Sequence, residues 1–130
     1  MLPVNCGSHA DYQHFVVTNF RKYYPDPDAL ARSTWDIIER FWNLDLSFTD
    51  TFMADKYSKF GPTPRTPSCM QRSYLLSIDF KVTSLTEWAA QLKMNPLYAI
   101  LSGFEPGNTP GVGTFYDFIN RLWNSDYTQF

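Results

Sequence analysis

The amino-acid sequence predicts an all-α protein: a compact bundle of about five to six short helices, with a helix-turn-helix-like second half and no sheet. Three observations carry that expectation. Apolar side chains recur at i, i+3, i+4 and i+7 in several stretches, the period of a helix with one buried face. No segment shows the strict apolar–polar alternation of a half-buried strand. Prolines, glycines and short polar side chains punctuate the apolar stretches where helix ends belong.

Residues 1–10 read as a flexible arm. From Asp11 the stripe Tyr12, Phe15, Val16, Phe20 and Tyr23 marks a first helix, which ends before Pro25 because a residue preceding proline disfavours helical geometry. In the connector Pro25-Asp26-Pro27-Asp28, Asp28 is the expected N-cap of a second helix reaching about Asn43. That helix should turn Trp35, Ile38, Phe41 and Trp42 inward and Asp36, Glu39, Arg40 and Asn43 outward. A short helix follows from Thr49 to Tyr57. The run GPTPRTP at 61–67 holds three prolines and a glycine and excludes regular structure. Thr66-Pro67 then opens a helix through Met70, Tyr74, Leu75 and Ile78 to near Lys81.

The stretch SLTEWAAQLKMNPLYAILSGFEPGNTPGVGTFYDFINRLW, from Ser84 to Trp123, is the most clearly marked. Leu85, Trp88, Ala89 and Leu92 form one helical stripe behind the capping box of Ser84 and Glu87. Asn95 and Pro96 read as an N-cap and first-turn proline, and Gly103 as a left-handed stop. After Pro110-Gly111-Val112-Gly113 a last helix is expected, with Thr114 as cap and Asp117 at its third position. Its buried stripe is Phe115, Phe118, Ile119 and Leu122; Tyr116, Asp117, Asn120, Arg121 and Asn124 are left outside. A helix, a Gly- and Pro-rich loop and a capped helix with a polar face is the outline of a helix-turn-helix-like DNA reader. Small bundles that bind nothing share it, and pattern alone favours that plainer reading. The expected organisation is an arm over 1–10, N-terminal helices over 11–60 and the helix-turn-helix-like region over 61–130, all in one compact domain.

Composition narrows the function classes. A chain of 130 residues can bury a sizeable core in one domain. Its apolar fraction of 44% excludes wholesale disorder, and 18% aromatic residues make that core one of large rings. No apolar run approaches the ~18 residues a membrane span needs. MLPVNCGSHADYQ lacks the basic head and apolar centre of a secretion signal, so the expected location is cytoplasmic. Cys6 and Cys69, far apart and in no motif, suit free thiols in a reducing compartment. The net charge of −2 argues against an obvious nucleic-acid binder, yet it divides unevenly. Residues 1–55 hold four basic and eight acidic side chains, net −4; residues 56–130 hold seven and five, net +2. Any phosphate contact is therefore expected in the second half.

Recognisable chemistry is sparse. Gly103, Gly107, Gly111 and Gly113 lack the spacing and the following Lys-Ser/Thr of a phosphate loop. Cys6, His9 and His14 lack the second ligand pair of a zinc site, so no metal is expected and both histidines read as exposed polar residues. The carboxylates are scattered along outward helix faces, where acids are ordinarily solvated. No catalysis by this chain, no cofactor and no small-molecule substrate are expected.

A resemblance emerges from the order of motifs. Lys56-Tyr57-Ser58, the Gly61, Pro62, Pro64, Arg65, Pro67 segment, MQRSYLLSI, TSLTEWAAQLKMNPLYAILSGF and PGVGTFYDFINRLW follow one another. The chain thereby resembles the N-terminal, non-catalytic region of DDE-type insertion-sequence transposases. The likeness covers about residues 55–123 and is most specific from Thr83 to Trp123. It implies binding to double-stranded DNA at the terminal repeats of a mobile element. The family's catalytic Asp, Asp and Glu lie in a further domain, and Asp117 and Asp126 do not stand in for them. Such a chain would be a fragment, a remnant or a separately encoded piece of a transposase.

In that reading the helix from Thr114 presents its first turn and the Tyr116, Asn120, Arg121 face to a groove. Asn and Arg suit paired hydrogen bonds to adenine and guanine edges. Arg65, Arg72 and Lys93, with Lys56 and Lys59, would hold phosphates and set register. For each cation the alternative is a solvated surface charge. The competing class is a protein-interaction or dimerisation module. Trp35, Phe41, Trp42, Phe48, Phe52 and Trp123 exceed what one small core readily hides, and an exposed apolar patch would receive a second copy or an intact transposase.

Overall fold

Helix-forming sequence dominates the observed architecture. The structure is a computed structural model that describes residues 8–53 and 66–128. Among these residues there are seven α-helices, a 3-10 turn and no strand, slightly more helices than the five to six expected. The order is α1 (His9–Tyr23), the turn Pro27–Ala29, α2 (Arg32–Asn43), α3 (Phe48–Met53), α4 (Pro67–Asp79), α5 (Leu85–Met94), α6 (Pro96–Ser102) and α7 (Val112–Thr128).

Cap chemistry explains where most of these begin and where the expected boundaries move. α1 starts two residues before Asp11 because Ser8 and Asp11 form a reciprocal capping box. The Asp11 N–H donates to Ser8 Oγ at 3.3 Å and the Ser8 N–H to the Asp11 carboxylate at 3.0 Å. The cap expected at Asp28 is not one: Asp26 accepts the Asp28 N–H at 3.0 Å and closes the 3-10 turn instead. α2 then begins behind Ala31, which offers no side-chain cap. Ser84 and Asn95 cap α5 and α6 as expected, accepting from the N–H groups of Glu87 and Leu97. Gly103 ends α6 in the left-handed region at φ 103°. α7 begins three residues earlier than expected, at Val112 rather than Phe115. Thr114 is its third residue, with its N–H on the Gly111 carbonyl at 3.1 Å, and Asp117 is its sixth.

α6 is the central element, with α1, α4 and α5 packed around it; α7 packs on α4 and α5. Four of the five residues Leu97, Ala99, Ile100, Leu101 and Ser102 are more than 98% buried, too many for one face, so α6 is surrounded. The expected α4 stripe is corrected here. Met70, Ser73, Leu76 and Ser77 face inward, whereas Tyr74 and Ile78 are exposed. Small serines on the inward side of α4 suit its close packing on α6, because interaxial distance follows the side chains at the contact. The serine hydroxyls are satisfied: Ser77 and Ser102 donate to the Tyr74 and Tyr98 carbonyls, and Ser73 Oγ accepts the Trp88 indole N–H at 2.9 Å.

Three rings close one side of the core, with Tyr98 lying 4.5 Å from Phe80 and 5.1 Å from Trp88, centroid to centroid. Phe41, Met53, Leu92, Phe115 and Phe118 fill the rest, as the α5 and α7 stripes predict. α1 joins through Tyr12, whose hydroxyl donates to the Leu101 carbonyl at 2.6 Å, and through Tyr24, whose hydroxyl accepts the Leu97 N–H at 3.0 Å. Residues more than 70 apart in sequence are thereby locked together.

Candidate functional site

The strongest sequence candidate is the outer face of α7. Phe115 and Phe118 are buried against α4 and α5, and this anchoring leaves Tyr116, Asp117 and Asn120 outward on the 3.6-residue period. Tyr116 is 53% exposed. Asn120 is exposed, while Thr114 and Arg121 are half-buried. The first turn is open: Gly111 and Gly113 are exposed, and a Cβ added at either would meet nothing within 4 Å. Lys93 is exposed at the end of α5, which packs on α7.

Arg72 is a correction. Expected to hold a phosphate, it is only 2% exposed. Its guanidinium carbon lies 3.7 Å from the Tyr12 ring centroid, and Nη1 donates to the Ser102 carbonyl at 3.2 Å. The cation thus sits at the C-terminal end of α6, where carbonyl dipoles favour positive charge. Its Nε has no hydrogen-bond partner among the described residues. Arg72 is a structural cation. Arg65, Lys56 and Lys59 lie outside the described residues.

His9 is corrected likewise. It is half-buried, and its ring Nε2 meets the Trp42 carbonyl at 2.6 Å, an oxygen that also accepts from the Gln13 amide at 2.9 Å. Both side chains of α1 thus satisfy the open C-terminal end of α2.

Cys69 is a free thiol half-buried between α4 and the end of α6, and burial pushes its pKa up. Among the described residues no three His, Cys, Asp or Glu side chains gather as metal ligands, and no helix is long and apolar enough to cross a membrane.

The feature that sequence reasoning missed is a groove between α1 and α2. Val16, Val17, Phe20, Tyr24 and Pro25 form one wall, and Trp35, Ile38 and Trp42 the other, enclosing about 660 Å³. Arg21 and Glu39 are the only charged groups among its lining residues. The volume and the mostly apolar walls are those of a ligand or partner cleft. Trp35, expected inward, is instead 38% exposed on this cleft and stacks at 6.3 Å on Phe20. The sequence signal is the surplus of large aromatic side chains, Trp35 and Trp42 among them; it does not say which of them stay uncovered.

No protein-family model, curated protein or solved structure matches this chain. The face of α7 and the α1–α2 groove are therefore read from their own chemistry.

Proposed function

We propose that the chain is a DNA-binding, non-catalytic region of a DDE-type transposase, docking to double-stranded DNA at an element's terminal repeats. The reading rests on the resemblance of residues 55–123 to that region. The observation that carries it is the outer face of α7, where Tyr116 and Asn120 stand exposed beside Arg121 on a helix held from behind by Phe115 and Phe118. The open Gly111-Val112-Gly113 turn supports it, because a helix N-terminus without side chains in the way can approach a phosphate closely. Asn120 and Arg121 read base edges, Tyr116 and Thr114 contact sugar and phosphate, and Lys93 and Arg65 hold the flanking backbone.

Selection from random duplexes followed by electrophoretic retardation tests it. A single preferred sequence should emerge. Asn120→Ala and Arg121→Ala should each weaken that complex by about 1–3 kcal/mol and relax the preference at one or two positions. Selection that returns no preferred duplex, with retardation no tighter than for random DNA, would overturn the proposal.

A second reading has its own observation. The α1–α2 groove, with tryptophans on one wall, favours a protein-interaction surface on the same domain.

A further inference from the structure

The groove between α1 and α2 carries an inference of its own. Its two walls are helical stripes, Val17 and Phe20 on α1 with Tyr24 just past its end, and Trp35 and Trp42 on α2. On each stripe one position is charged: Arg21 on α1 and Glu39 on α2. A charged side chain at a stripe position is costly wherever that stripe is covered, unless the cover brings the opposite charge. Arg21 and Glu39 are not paired with each other, and neither side chain makes an ion pair with another described residue. Both are exposed, as are their like-charged neighbours Lys22 on α1 and Asp36 on α2. At the groove itself the α1 lip thus carries a cation, Arg21, and the α2 lip an anion, Glu39, with the exposed Arg32 further back at the start of α2.

That arrangement is complementary to itself. In a two-fold contact the same patch meets its own copy, so a residue on one lip faces the other lip of the partner twice over. We propose that a second copy of this chain covers the groove, with α1 of each copy along α2 of the other. Arg21 of one copy then pairs with Glu39 of the other at two symmetric positions, and Trp35 and Val17 leave water between them. The result is a four-helix arrangement around a shared apolar seam. Two helices a side form an interface at the small end of the specific range.

The test is sedimentation of the whole chain without DNA, from about 1 µM to about 1 mM. A reversible monomer–dimer equilibrium is expected. Arg21→Glu and Glu39→Arg each set like charges opposite one another at both symmetric positions, and each should weaken the dimer at least about tenfold. The double variant, with the charges exchanged, should recover most of that loss. Both side chains are exposed, so unchanged circular dichroism and melting temperature will verify that the variants fold. Asn120→Ala should leave the dimer untouched, which keeps this outcome separate from the duplex reading. A monomer across the whole range would overturn the proposal. So would a dimer indifferent to both single reversals, or one not recovered by the exchange. A monomer whose groove takes up an apolar dye would mean that another occupant belongs there, and would overturn it equally.

Discussion

At the scale of single residues, Arg72 on α4 ties α1 and the end of α6 together, through the Tyr12 ring and the Ser102 carbonyl. A buried guanidinium normally finds a carboxylate; this one faces the Tyr12 ring and the Ser102 carbonyl. Both partners supply negative electrostatic potential without a formal charge, one through the ring quadrupole and the other at the end of α6. Arg72→Ala should cost about 3 kcal/mol of stability, read from urea unfolding, and Arg72→Lys should not restore it, because an ammonium lacks the flat face that stacks. Duplex affinity per folded molecule should stay the same in both. Next to this cation, burial raises the pKa values of the Tyr12 phenol and the Cys69 thiol above their ordinary 10.0 and 9.0. The unfolded chain releases these protons at the ordinary values while the folded chain retains them, so unfolding becomes easier as pH rises. Stability should be full below about pH 9 and fall above it. Urea midpoints measured from neutral to strongly alkaline pH will show that fall, and Tyr12→Phe should flatten its upper part.

At the scale of elements, helix ends decide how the pieces fit. α4 and α6 both stop in the left-handed region, but α6 does so at Gly103, with φ 103°, and α4 at Lys81, with φ 61°. At Gly103 a Cβ would stand 2.7 Å from the Cys69 sulfur and 3.3 Å from Arg72 Nη1, so both backbone and packing require glycine. At Lys81 only backbone strain is involved. Gly103→Ala should therefore destabilise by at least about 2 kcal/mol, and Lys81→Gly should stabilise by about 1 kcal/mol, both measurable by thermal unfolding. The caps show how far local sequence reaches. Ser84, Asn95 and Gly103 act within a few residues of their own helix, and their roles were legible. α4 is different: Thr66 makes no side-chain cap bond, and the carboxylate of Asp50, on α3, accepts the Ser68 N–H at 2.8 Å and its hydroxyl at 2.9 Å. A cap from another helix has no signature in the sequence of the helix it caps.

At the scale of the whole molecule, electrostatics bears on the duplex proposal. With Arg72 inside the core, four of the five cations first assigned to phosphate remain: Lys56, Lys59, Arg65 and Lys93. Each released counterion contributes about 0.9 to the slope, so the logarithm of the binding constant should fall with the logarithm of salt at about −3 to −4. A filter-binding series at increasing salt checks this, and a slope near zero would leave these side chains no electrostatic part in binding. The same scale separates what periodicity can see from what it cannot. The all-α class, the buried faces of α5 and α7, the ends of α6 and the outward position of Tyr116 and Asn120 follow from the sequence by itself, because a helix presents its residues at a fixed angle whatever surrounds it. Three assignments came only with the tertiary structure: Arg72 inside rather than out, a serine face of α4 turned inward, and Trp35 left on an open groove. Each depends on what stands opposite. A cation is buried only if a ring and a carbonyl end meet it, serines only if a neighbouring helix is close enough to need small side chains, and an aromatic stripe stays open only where no other element covers it. Those distances are set between elements, and a one-dimensional pattern carries no information about them.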